Sequence, residues 1–156
     1  MPPLVTLGRI LFAILFVYAG ADKLLDIAAT SQLIAGKIIP ALPAVLGPYT
    51  AQLEAAAGMP ADRVLAILAG VLEVLGGLAI ALNIGARLFA ILLVIFIAGV
   101  TYYFHDFWNM AGAEKTTNIY AALKNLSLIG GLLIVAGYPR PVLADNNYTG
   151  TAETRY

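Results

Sequence analysis

Apolar residues fall into four long runs, separated by short polar or proline-bearing stretches. The first covers residues 4–25, broken by Arg9 and then by Asp22 and Lys23 at its far end. The second covers 64–82, the third 86–104 and the fourth 118–138. Each approaches the ~20 residues a helix needs to cross a bilayer. None alternates with period two, and all are rich in Leu, Ala and Ile, which excludes a barrel strand. The pattern predicts an all-α, membrane-spanning four-helix bundle within residues 1–138, followed by a polar tail, 139–156.

The connection 26–63 is long and carries Pro40, Pro43, Pro48 and Pro60. These break it into pieces. Ala28–Ile39 reads as a short amphipathic segment lying on the membrane or capping the bundle. Pro48–Ala57 reads as a helix opened by proline and closed by Gly58. Runs two and three are joined tightly through Asn83-Ile84-Gly85, which makes them antiparallel neighbours. Gly85 reads as a helix stop and Asn83 as a cap. Ala19-Gly20-Ala21 has the look of a signal-peptidase site. One Arg with no Lys before it, and a run long enough to span, favour a retained helix.

Composition agrees with a membrane protein. Of 156 residues, 61% are hydrophobic and 12% charged. Soluble domains average closer to half apolar and a quarter charged. Net charge is zero, and no basic patch points to nucleic acid. The absence of cysteine removes disulfides, thiolate metal sites and thiol redox within the chain. A single histidine, His105, rules out a histidine metal cluster in one subunit, so no metal is expected.

Charge inside the apolar runs is the informative departure. Glu73 and Lys124 each stand within a run, where an isolated charge costs about 2.5–3.5 kcal/mol on insertion scales. Alternating helix direction gathers Asp22, Lys23, Glu73, His105, Asp106, Lys124 and Asn125 in one half of the bundle. Arg9 sits towards the other face and is expected to meet lipid phosphate or a helix end. Ala66, Gly70, Glu73, Gly77 and Ala81 form a small-residue stripe. Ala121, Lys124, Leu128, Gly131 and Val135 form a second. Small stripes allow close helix approach in lipid. The expectation is an ion pair between Glu73 and Lys124, architectural or ligand-directed. The cluster from Tyr102 to Trp108 reads as an interfacial aromatic belt. Four spans put both termini on one side, read as cytoplasmic from the arginines near span ends.

These residues also resemble the DoxX family of small four-helix membrane proteins. The resemblance rests on Gly8-Arg9-Ile10-Leu11, Tyr18-Ala19-Gly20-Ala21-Asp22-Lys23-Leu24 and Leu72-Glu73-Val74-Leu75-Gly76-Gly77-Leu78. It continues through Gly85-Ala86-Arg87-Leu88-Phe89-Ala90, Phe104-His105-Asp106-Phe107-Trp108 and Lys124-Asn125-Leu126-Ser127-Leu128-Ile129-Gly130-Gly131, in the family's order. The stretch Ala28–Asp62 is longer than the family pattern. By this resemblance Arg9, Lys23, Glu73, Arg87, His105, Lys124 and Asn125 occupy the characteristic polar positions.

Relatives near the DoxD subunit of thiosulfate:quinone oxidoreductase imply a membrane subunit of an oxidoreductase system, linked to quinone and to thiol, sulfur or oxidative-stress chemistry. On that reading Glu73, Lys124 and His105 are the catalytic candidates. Lys23, Glu73, His105, Lys124 and Asn125 would contact a ligand, with quinone the candidate cofactor. No cofactor is expected to be carried by the chain itself. Expected partners are the lipid bilayer, a redox subunit supplying the electrons and a second copy of the chain. The expected location is a bacterial-type plasma (inner) membrane. The alternatives are a non-enzymatic scaffold or anchor, in which the loop 26–63 recruits a partner, and a small carrier or channel lined by Glu73 and Lys124.

Overall fold

The computed structural model describes residues 3–42 and 46–138. Pro43, Arg140, Arg155 and the polar tail 139–156 fall outside the described residues. Six α-helices succeed one another: α1 (Pro3–Leu25), α2 (Ile27–Lys37), α3 (Gly47–Ala57), α4 (Ala61–Leu82), α5 (Ala86–Phe104) and α6 (Gly112–Gly137). Short 3-10 turns lie at Ile39–Ala41 and Phe107–Asn109. Four helices, α1, α4, α5 and α6, are long and apolar enough to cross a bilayer. Among the described residues every regular element is helical.

The closest crossing joins α1 to α4. It is made by residues without bulk. A Cβ on Gly20 would stand 2.6 Å from the Gly70 carbonyl oxygen, and one on Gly77 would meet the Ala13 carbonyl at 3.0 Å. Gly70 in turn lies under Leu24. Ala13 and Ala66 are buried in the same seam. Lipid offers no hydrophobic drive between helices, so close van der Waals contact of this kind holds them together. The stripe read from the sequence on α4 is therefore the packing face.

Phe16, Ile80, Ala90, Leu93, Ile97, Leu132 and Ala136 form the core where α4, α5 and α6 meet the middle of α1. Leu93 fills the space over Gly76. α6 packs on α5 and makes no substantial contact with α4. It meets α1 where the Phe12 ring lies against Gly131. The buried face of α6 carries Leu132 and Ala136. It is turned by about one residue from the stripe expected there, which leaves Lys124 exposed at its edge. α6 also begins six residues before the apolar run does. Gly112-Ala-Glu-Lys-Thr-Thr is polar but helical, so its first turns extend the span beyond the hydrocarbon.

The tight turn between α4 and α5 corrects one expectation. Asn83, not Gly85, ends α4. It adopts a left-handed backbone (φ 59°), its N–H donates to the Ile80 carbonyl, and the Ile84 N–H donates to the Ala79 carbonyl. This is a Schellman stop, in which Asn is tolerated. Gly85 opens α5 instead, also with positive φ. The Asn83 side chain is left available and accepts from the Arg9 guanidinium. Arg9 is 6% exposed and lies 6.0 Å from the Tyr138 ring centre. It thus binds a helix end, tying the start of α1 to the α4–α5 turn and the end of α6.

The opposite end is closed by α2 and α3. Asp26 caps α2 by accepting the Ala29 N–H at 3.0 Å. α2 packs on α4, and Ser31 donates to the Asp62 carboxylate. Lys37 lies 3.7 Å from Asp106 after α5. α3 opens beside Pro48 and stops at left-handed Gly58. Its Glu54 accepts the Ala61 N–H at 2.9 Å, satisfying a free donor at the start of α4.

The seam is open to test by substitution. Gly20→Ala should lower the stability of the folded protein by about 1–3 kcal/mol, because the added methyl meets backbone that cannot retreat without separating α1 from α4. Gly130→Ala, where a Cβ would meet nothing within 4 Å, should leave it unchanged or raise it. Thermal unfolding in a mild detergent measures both. Equal behaviour of the two variants would contradict a glycine-dependent seam.

Candidate functional site

The depth of the charged groups is set by helix length. Glu73 lies twelve residues into α4, about 18 Å along the axis at ~1.5 Å per residue. Lys124 lies twelve residues into α6, also about 18 Å, because that helix starts earlier than its apolar run. Glu73 therefore sits near mid-span, whereas Lys124 lies about 9 Å inside the apolar run that begins at Asn118.

Glu73 does not pair with Lys124. Its Oε2 lies 2.7 Å from Nζ of Lys23. The glycine seam explains the choice: α1 approaches α4 closely at Gly20 and Gly70, and Lys23 stands three residues beyond Gly20. α6, held on α5, does not bring its lysine within ion-pair distance. Lys23 also donates to the Ala19 carbonyl at 3.3 Å. The Glu73 residue is 7% exposed, and its fully buried Oε2 is the oxygen that meets the Lys23 ammonium. The contact with Lys23 is thus an ion pair between a buried carboxylate and a partly exposed ammonium.

Glu73 lines a cavity of about 560 Å³. Phe16, Glu73 and Ile97 form its buried floor, and Phe96 and Val100 of α5 one wall. Leu15, Lys124 and Ser127 are exposed lining residues on α1 and α6. These exposed residues place the mouth of the cavity between α1 and α6. Asn125 lines it too, and its Nδ2 donates to Thr101 Oγ1 at 2.9 Å. Thr101 passes its own hydrogen to the Ile97 carbonyl at 2.7 Å. This chain fixes the Asn125 amide and leaves its oxygen and second N–H uncommitted. The volume falls within the roughly 300–1,000 Å³ typical of small-molecule sites.

The remaining polar groups divide. His105 lines neither this cavity nor its neighbour. Its Nδ1 lies 3.0 Å from Asn118 Oδ1. Asn118 donates its Nδ2 to the Glu114 carbonyl, so the oxygen faces the ring and Nδ1 carries the hydrogen. The bond ties the end of α5 to the start of α6. Asp22 and Lys23 line a second cavity of about 600 Å³ beneath α2, which shares Phe96 and Val100 with the first. Arg87 is exposed beside the α4–α5 turn. The aromatic residues Tyr102, Tyr103, Phe107 and Trp108 stack on one another at the α2 end of the bundle. Sequence reasoning named the charged residues but not Thr101. Its spacing from His105 across one turn gave no sign that it would anchor Asn125.

Comparison with known proteins adds to this geometry. The DoxX family model matches residues 4–106. The chain belongs to the DoxX family. A relative, the inner membrane protein YphA of Escherichia coli (strain K12), is 30% identical over 135 residues, covering 86% of this chain and 82% of that protein. No solved structure matches. As a DoxX protein with four spanning helices, the chain is an integral, multi-pass membrane protein. Arg9, Lys23, Glu73, Arg87 and His105 lie within the stretch matched by the DoxX model, and Lys124 and Asn125 lie beyond it.

For this DoxX protein the pair can be tested by substitution. Lys23→Met leaves a carboxylate in a dry seam without its cation, and should destabilise by about 3–5 kcal/mol. Adding Glu73→Gln should recover most of that loss. Lys124→Met should change stability little. Thermal unfolding of the four proteins decides. If Lys124→Met is the damaging change and Lys23→Met is silent, the assignment of the pair is wrong.

Proposed function

We propose that this protein is the quinone-linked membrane subunit of an oxidoreductase system, with the side-opening cavity as its quinone site. The observation that carries this reading is a buried, lysine-paired carboxylate on the floor of a lipid-accessible, apolar cavity. A quinone supplies paired electron and proton transfer when bound. The residues present suit such a ring. The apolar walls accept its body, and Asn125 and Lys124 offer donors to a carbonyl oxygen. Glu73, as a carboxylate lining the cavity, is suited to accept or return a proton. Lys23 holds the carboxylate in position. Electrons and any sulfur chemistry come from a partner subunit, because the chain has no cysteine. His105, bonded to Asn118, serves here as a tie between helices.

The inner-membrane location of the relative supports the same location for this chain; the arginines near span ends support cytoplasmic termini. A pure anchor would not need a side-opening cavity at mid-span, which is why the redox reading is preferred to the scaffold.

Purification from quinone-containing membranes into lipid nanodiscs tests the proposal. Mass spectrometry should find about one quinone per chain, and Asn125→Leu together with Glu73→Gln should reduce retention about tenfold or more. Protein that retains none, and shows no saturable uptake of added quinone, would overturn the reading.

A further inference from the structure

The cavity has an unbalanced charge. Three ionisable groups govern it: Glu73 and Lys124 line it, and Lys23 touches Glu73 at 2.7 Å. Lys23 and Glu73 neutralise each other. Lys124 is then left over. Among the described residues its ammonium makes no hydrogen bond and no ion pair. Lys124 lies about 9 Å along the helix axis from Asn118, where the apolar run begins. The walls beside it, Leu15, Phe96, Val100 and Leu128, are apolar. A cation in that setting gains most from an anion delivered by the occupant.

We propose that the cavity selects a singly ionised headgroup carried on an apolar body, with Lys124 as the cation that recognises it. The inference rests on the reading that this cavity is a ligand site, and it names the charge class of the ligand. The neutral pair below leaves the positive side of the site to Lys124 alone. Asn125, fixed by Thr101, presents its second N–H beside the same opening. Glu73, already matched by Lys23, does not compete for Lys124. A headgroup with one negative charge makes the site neutral. An uncharged quinone still takes a hydrogen bond from Lys124 but leaves its charge unmatched, and a doubly charged headgroup overshoots. The shared chemistry has two sources in a bilayer: an acidic quinone, or the carboxylate of a fatty acid.

Binding in nanodiscs separates the sources. Three probes are compared: an alkyl hydroxynaphthoquinone ionised at neutral pH, its uncharged O-methyl ether, and a medium-chain fatty acid. The wild-type protein should bind the ionised naphthoquinone about tenfold or more tighter than the ether. Lys124→Arg should keep that preference and Lys124→Met should abolish it, while both retain the wild-type helical signal. The comparison of acid and ether on wild-type protein stands even if a variant fails to fold. Equal binding of acid and ether overturns the charge inference and leaves the quinone site intact. Lys124-dependent binding of the fatty acid with neither naphthoquinone bound supports the charge inference and removes the quinone. No saturable binding of any probe overturns it.

Discussion

A carboxylate at mid-bilayer is tolerable when a cation lies within a few ångströms, and a long lysine reaches it there when two backbones run unusually close. The α1–α4 seam supplies that closeness. Gly20, Gly70 and Gly77 carry no Cβ at the points where one would strike backbone or a branched side chain. Lys23, one turn beyond Gly20, then lies on Glu73. The ion pair is thus a consequence of small residues packing, and the same packing places the other two spans. With α1 and α4 locked together, α5 packs over Gly76 through Leu93, and α6 docks on α5, touching α1 where Phe12 meets Gly131. The space that α6 leaves in front of α1 is the cavity.

The two ends of the bundle are held differently. At the terminal end, Arg9 joins α1 to the α4–α5 turn through Asn83, with Tyr138 beside it. At the other end, α2 and α3 form a cap fastened by Ser31–Asp62, Lys37–Asp106 and the Glu54 contact to Ala61. Neither fastening involves Glu73 or Lys124. These charges are therefore free of structural duties at the surfaces. Their surroundings, a dry floor and an opening towards lipid, are what a ligand dissolved in the membrane would meet.

Much of the architecture was legible in the residues because lipid imposes a length and an apolarity that show directly in the chain. The third span was read with its observed bounds, and the helix closed by Gly58 was recognised by its proline and glycine. The small stripe on α4 marked the true packing face. The misses have physical causes. The polar first turns of α6 lie outside hydrocarbon, so apolarity alone started that helix too late. Asn83 took the left-handed stop that glycine usually takes. The partner of Glu73 was misjudged because periodicity gives faces, not which faces meet. Two lysines stood at usable depth, and the decision lay in backbone clearance at Gly20. A stripe of Arg9, Ala13, Phe16 and Gly20, buried along α1 and leading to Lys23, was the available signal. Family membership carried the fold further than the chemistry, since a shared fold leaves the reaction open. The cavity narrows it.

The pairing of Glu73 is decided by the distance between its carboxyl carbon and the lysine ammonium nitrogens, measured by solid-state dipolar recoupling on labelled protein in lipid bilayers. Strong coupling at the Glu73 carboxyl should disappear in Lys23→Arg and persist in Lys124→Arg. Coupling that persists in Lys23→Arg and disappears in Lys124→Arg would contradict the α1–α4 ion pair and the cavity built around it.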